Sequence, residues 1–195
     1  MIVRSIVSLT VSQDAPPDKI QREFGKYPEQ MKYGLRIVGF RIYDPSHPQA
    51  DETGYRFFQK EYGRSLTKSS QLAEAFRVFL SAGLLTESDN KDDQSYADER
   101  IRTRVANNIL VLLRQLRRWF DENDSLRFYA SSLLIVYDGD TSRDVGNRDV
   151  VTLKMIDFGR VRRDFGGDPG YITGLRTLRN ILTQLVEEDK QTTSA

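Results

Sequence analysis

Val151-Thr-Leu-Lys-Met-Ile-Asp-Phe-Gly159 is the stretch that decides the fold. Val151, Leu153 and Met155 alternate with Thr152, Lys154 and Ile156, the period-two pattern of a half-buried strand. Asp157 follows, then Phe158 and Gly159, whose missing Cβ is expected to let the backbone turn sharply. The pairing partner lies upstream. Leu126-Arg-Phe-Tyr-Ala-Ser-Ser-Leu-Leu-Ile-Val-Tyr137 reads as a strand that ends in Asp138-Gly139, a hairpin signal. A carboxylate fixed at a strand end can present an oxygen-preferring ion such as Mg2+ to the phosphates of ATP. The same pattern is also the ordinary end of a strand before an Asp/Gly turn.

Outward from this hairpin, Asp168-Pro-Gly-Tyr171 opens a closing helix with a buried stripe of Tyr171, Leu175, Leu178, Ile181 and Leu185. The chain from Glu187 onward is expected to fray. Over 98–120, Ile101, Val105, Ile109, Leu112, Leu116 and Trp119 keep the three-to-four spacing of an amphipathic helix. Arg114, Arg117 and Arg118 read as its solvated face, with phosphate binding as the alternative. Leu72, Ala75, Phe76 and Phe79 predict a shorter helix. Leu35 to Tyr43 reads as one strand ended by Asp44-Pro45, and residues 44–60 as a loop rich in Pro, Asp and Gly. Asp14-Ala-Pro-Pro-Asp-Lys19 starts a helix over 17–24, broken at Gly25 to Pro28. Residues 86–97 and 138–149 read as exposed connections, the first without the ligand spacing of a calcium loop. The resulting order is helix, strand, helical region, β-hairpin and closing helix, an α+β lobe.

A length of 195 residues suits one domain, and 38% hydrophobic with 29% charged residues is ordinary for a folded chain. A net charge of +1 gives no global attraction to nucleic acid, so any anion site must be local. With no cysteine, disulfides, a thiol nucleophile, zinc fingers and iron–sulfur clusters are excluded within this sequence. The single histidine, His47, sits between Pro45 and Pro48 in a surface turn, which argues against a Ser-His-Asp triad or a histidine metal site. No apolar run approaches the roughly 20 residues of a membrane span. Met1 to Leu9 is too short and interrupted for a signal peptide.

Four segments, in order, resemble the inositol polyphosphate kinase family, and its multikinase branch in particular. Lys19-Ile-Gln with Lys26-Tyr-Pro28 is similar to the helix after the family's catalytic motif. Tyr62-Gly-Arg-Ser-Leu-Thr67 is similar to a segment ahead of the next helix. Phe128-Tyr-Ala-Ser-Ser-Leu-Leu-Ile-Val-Tyr137 resembles its Ser-Ser-Leu-Leu strand. Met155-Ile-Asp-Phe158 and Asp168-Pro-Gly-Tyr-Ile-Thr-Gly-Leu175 resemble its metal-binding strand and closing helix. The resemblance implies that residues 11–187 form the C-terminal lobe of a fold related to the protein kinases, after an unmatched segment 1–10 and before a disordered tail 188–195.

The implied chemistry is transfer of the γ-phosphate of ATP to a hydroxyl of an inositol phosphate. By resemblance, Asp157 holds Mg2+, Ser131 and Ser132 lie beside nucleotide and metal, and Lys19, Lys26, Arg64 and Arg160 bind substrate phosphates. The resemblance also implies a nuclear and cytoplasmic location. Two departures stand out. The family's Pro-x-x-x-Asp-x-Lys-x-Gly motif should precede the helix at 17–24, but Met1 to Leu9 carries no Asp, Lys or Gly, so no catalytic residue is assigned. The family's Ala-His after Ile-Asp-Phe is Gly159-Arg160, and a guanidinium cannot shuttle a proton at neutral pH. With the N-terminal lobe also unmatched, the expectation is an impaired kinase, or the C-terminal part of a longer chain. The alternative is a non-catalytic module that binds inositol phosphates or a protein partner, with an uncovered apolar face open to self-association. Nucleic acid is not expected as a partner.

Overall fold

The expected hairpin is the spine of the molecule. In a computed structural model, which describes residues 6–7, 18, 21, 25–80, 91–138 and 151–192, β6 (Ser132–Tyr137) and β7 (Val151–Ile156) pair antiparallel. The register runs from Ser132 opposite Ile156 to Tyr137 opposite Val151. Upstream elements are β1 (Ile6–Val7), α1 (Gln30–Tyr33), β2 (Arg36–Ile37), β3 (Phe40–Tyr43) and β4 (Tyr55–Phe58). Then come α2 (Lys60–Ser65), α3 (Ser69–Leu80), α4 (Lys91–Glu122) and β5 (Leu126–Phe128). β8 (Val161–Arg163) and α5 (Pro169–Thr192) close the chain. The main sheet has the order β2-β1-β6-β7, with β3-β4 and β5-β8 as separate two-stranded ribbons. This is the α+β architecture expected.

Both long strand expectations split in two. The Leu126–Tyr137 run breaks at Tyr129–Ser131, where Ala130 takes φ 56° and sends the chain from the β5 ribbon into the main sheet. The Leu35–Tyr43 run breaks at Val38-Gly39, where Gly39 sits at φ 155°. The supposed loop 44–60 contains β4, which pairs from Tyr55 opposite Tyr43 to Phe58 opposite Phe40. Aromatic pairs across that ribbon, including Phe40 stacked on Phe58 at 4.3 Å, hold the strand that Pro and Asp nearby obscured.

The helices follow their apolar stripes. α4 begins at Lys91, so the latter part of the supposed connection 86–97 is helical, and 86–90 lies outside the described residues, as does the 139–149 connection. Val105, Ile109, Leu113 and Phe120 of α4 are buried, and Trp119 is partly exposed; the side chain of Ile101 is outside the described set. α4 packs antiparallel on α5. Phe120 stacks on Tyr171 at one end, 4.6 Å between centroids, and Arg102 grips Asp189 at the other, Nε to Oδ2 2.9 Å. That grip corrects the expectation of fraying from Glu187: Asp189 is buried, also accepts from Thr103, and α5 continues to Thr192. Arg117 and Arg118 pair with Asp121 and Glu122 one turn on, the solvated face expected of them. Of the helix expected over 17–24, Asp18 and Gln21 are described, both helical. Among the described residues no helix is long and apolar enough to cross a membrane.

Glycine fixes one close approach that positions the rest. A Cβ on Gly63 would lie 1.7 Å from the Ile37 carbonyl oxygen, so α2 can lie on β2 only with glycine there.

Candidate functional site

The register across the main sheet builds the site. Val7 faces Arg36 of β2 on one side and Ser132 of β6 on the other, and Ser132 faces Ile156 of β7. One end of the sheet therefore collects the start of β2, the end of β1, the start of β6 and the end of β7. Asp157 is the next residue beyond this row, exposed, at φ 66°. Ala130, two residues before Ser132, is at φ 56°. Among the described residues these are the two non-glycine positions with positive φ, and both border the same row. Left-handed backbone costs an L-residue about 1–2 kcal/mol, and such strain concentrates at functional sites.

Gly159 does not make the turn expected of it. Its φ is not left-handed and an added Cβ would meet nothing within 4 Å. The turn is made by Asp157 itself, because the short polar side chain of Asp tolerates this conformation.

Ser132 pairs with Ile156, which brings Ser131 and Ser132 close to Asp157, and both serines are buried. The Ser131 hydroxyl is close enough to the Tyr171 phenol to offset part of the burial effect on it, yet the two oxygens do not reach hydrogen-bond geometry. The Ser131 and Tyr171 hydroxyls are both buried without a hydrogen-bond partner. Burial, with a smaller contribution from Asp168, pushes the Tyr171 phenol well above its ordinary value. Asp168 was visible in the sequence only as a helix start. Its Oδ1 accepts from the Tyr171 N–H at 2.9 Å, capping α5, while its Oδ2 accepts from the Phe128 N–H at 2.8 Å. One carboxylate thus fixes both the closing helix and the ribbon that leads into Ser131.

Of the four expected substrate cations, Lys26, Arg64 and Arg160 are described. Lys19 is outside the described residues. Lys26 is exposed in a turn ahead of α1. Next to it the Tyr27 hydroxyl donates to the Leu66 carbonyl at 2.5 Å, tying this turn to the end of α2, the helix that carries Arg64. Burial first, then Glu29 and Tyr33, pushes the Tyr27 phenol up to about 12, with Arg36 acting in the opposite sense. Arg64 is half-buried and its Nε is enclosed without a hydrogen-bond partner. α2 packs on β2, the edge of the sheet opposite β7. Three strand spacings, about 14 Å, separate those edges. Arg160 is exposed on the Asp157 side, three residues on, and its carbonyl accepts from the Tyr129 N–H at 3.0 Å. Arg36, in the end row itself, was not singled out from the sequence; only the pairing reveals its position.

Among the described residues no three His, Cys, Asp or Glu side chains cluster as a metal cage. An exposed single carboxylate suits Mg2+, which is commonly held by one or two carboxylates while phosphate oxygens and water complete its shell. Asp157 fits that habit and would be the protein ligand.

The family model for inositol polyphosphate kinase matches residues 8–183. Inositol hexakisphosphate kinase 3 of Mus musculus is 31% identical over 195 residues, covering 89% of this chain and 44% of its own length. Human inositol polyphosphate multikinase is 32% identical over 125 residues, 64% of this chain and 25% of the relative. The chain thus spans less than half the length of these curated relatives. In fold it is similar to the S. cerevisiae inositol phosphate multikinase Ipk2 in complex with ADP and Mn2+, with a TM-score of 0.70 and 20% identity over 95% of this chain and 78% of that one. The chain belongs to the inositol polyphosphate kinase family.

Proposed function

We propose that this chain binds Mg-ATP at the Asp157 end of its sheet and transfers the γ-phosphate to a hydroxyl of an inositol phosphate, with impaired turnover. The observation that carries this is Asp157, held in strained left-handed backbone directly beyond the row formed by Arg36, Val7, Ser132 and Ile156. When bound, Mg2+ supplies positive charge against the β- and γ-phosphates. Asp157 anchors that charge at the sheet end. Arg160 holds a phosphate as a permanent cation. Lys26 and Arg64, on segments tied together by Tyr27, hold substrate phosphates on the far side of the sheet, with Lys19 as the third cation of the set.

Impairment follows from what occupies the place of the Asp-x-Lys pair. Met1 to Leu9, which supplies β1, offers no carboxylate or lysine to orient the acceptor hydroxyl and accept its proton. Proton transfer by a positioned group is worth about 10²–10⁴ in rate. A non-catalytic inositol-phosphate-binding module is the second reading, favoured by that same absence.

The test is transfer of labelled γ-phosphate from Mg-ATP to inositol trisphosphate, with Asp157→Ala and Lys26→Ala alongside. Slow turnover that Asp157→Ala abolishes supports the proposal. Transfer at a rate typical of kinases, about 1–100 per second, would overturn the impairment. No turnover, with inositol phosphate binding weakened by Lys26→Ala, would select the non-catalytic module.

A further inference from the structure

The α4–α5 pair carries a groove whose lining residues lie outside the Asp157 end of the sheet. It measures about 540 Å³, within the range of small-molecule sites. Its polar walls include Asn107 and Arg114 from α4, and Arg179, Asn180, Thr183 and Glu187 from α5. Two contacts fix the register of the pair, Arg102 with Asp189 and Phe120 with Tyr171. They are equally far apart along either helix, so the helices stay in step between them. Arg114 therefore comes level with Thr177, Arg179 with Leu112, and Glu187 with Arg104. Arg176 lies one turn before Arg179 on the same face of α5. Three guanidiniums thus gather within about one helical turn of height.

Arg114, Arg176 and Arg179 are exposed and hold no ion pair or hydrogen bond. The carboxylates of the two helices are committed elsewhere: Asp121 to Arg117, Glu122 to Arg118, Glu188 to Arg77 and Asp189 to Arg102. Glu187 is the remaining carboxylate among the described side chains of the pair, and it stands level with Arg104, about 12 Å along α5 from Arg179. Like charges one turn apart on a helix repel, and a bound anion relieves that repulsion. We infer that this groove binds a compact soluble anion carrying two or more phosphate groups. Guanidinium forks match phosphate oxygens two at a time, and Asn107, Asn180 and Thr183 add neutral amide and hydroxyl donors. An acidic polypeptide laid along the groove would run into Glu187, whereas a compact anion held at the arginines does not. Within the 114–118 cluster, phosphate binding falls to Arg114, because Arg117 and Arg118 are taken by carboxylates of their own helix.

Calorimetric titration of the chain with sodium tripolyphosphate tests this without Mg2+ or nucleotide, and so independently of Asp157. Arg114→Gln, Arg179→Gln and Lys26→Ala are compared with the unaltered protein, and a polyglutamate peptide serves as second titrant. The expected result includes a site whose affinity falls about tenfold in either arginine variant, is unchanged in Lys26→Ala and weakens with added salt. Both arginines are exposed and unpaired, so neither variant should melt at a lower temperature. Absence of binding overturns the inference. So does binding that Lys26→Ala reduces and both arginine variants leave intact, which would put the anion among the substrate cations. Polyglutamate bound as tightly as tripolyphosphate overturns it as well, and would make the groove a protein-docking surface.

Discussion

At the residue scale, side chain and backbone conformation are at odds at Asp157. A left-handed backbone suits glycine, yet the position holds a carboxylate. Asp157→Gly should therefore raise stability by about 0.5–1 kcal/mol, read as a higher denaturant midpoint, while Mg2+-dependent nucleotide binding is lost. A fall in stability would show that the side chain, and not the backbone, matters to folding. Gly63→Ala lies at the other extreme. A methyl group 1.7 Å from the Ile37 carbonyl oxygen has no room, and separating α2 from β2 should cost about 3 kcal/mol or more, again read from the midpoint. Residue identity was legible in the sequence and residue conformation was not. The carboxylate at the end of a period-two strand could be found by eye, but Gly159 drew the turn to itself when the chain turns two residues earlier. Glycine permits such a turn without requiring it.

At the element scale, the start of α5 anchors the ribbon that leads to the candidate site. Its cap, Asp168, also receives the Phe128 N–H, so Asp168→Ala should both loosen the helix start and release the ribbon leading to Ser131. The expected cost is about 2 kcal/mol or more, with Asp168→Asn milder because one acceptor oxygen survives. Chemical denaturation of both variants measures this, and equal losses in the two would show that charge rather than hydrogen bonding is what matters. The elements found correctly from sequence, β6–β7, α3, α4 and α5, all have long apolar periods or a strong start signal such as Asp168-Pro169. Among those missed were β4 and the breaks at Val38-Gly39 and Tyr129–Ser131. Their causes are non-local: β4 is held by aromatic partners on β3, and the breaks exist because consecutive strands join different sheets. The last turns of α5 were missed for the same reason, since Arg102, far away in sequence, holds Asp189.

At the scale of the whole molecule, buried polar contacts join segments far apart in sequence. Tyr27 joins the Lys26 turn to α2 through a hydroxyl whose pKa is pushed up to about 12. The fold favours the neutral phenol, so this contribution is complete below the unfolded value of about 10 and is lost as pH rises through about 12. Stability should fall with rising pH over that window, and Tyr27→Phe should flatten part of the slope, with Tyr171 and Tyr62, both shifted in the same direction by burial, contributing to what is left. A pH-stability curve unchanged by Tyr27→Phe would contradict this. The family was legible from short motifs. How Arg36, Val7, Ser132 and Ile156 form one row was not, because β1 is two residues long and carries no pattern of its own.

The most direct measurement is calorimetric titration of ATP into the chain, with and without Mg2+, for the unaltered protein and for Asp157→Gly. The account predicts Mg2+-dependent binding in the first and none in the second, with the variant at least as stable. Equal affinity in both proteins, or binding indifferent to Mg2+, would contradict the placement of the metal on Asp157.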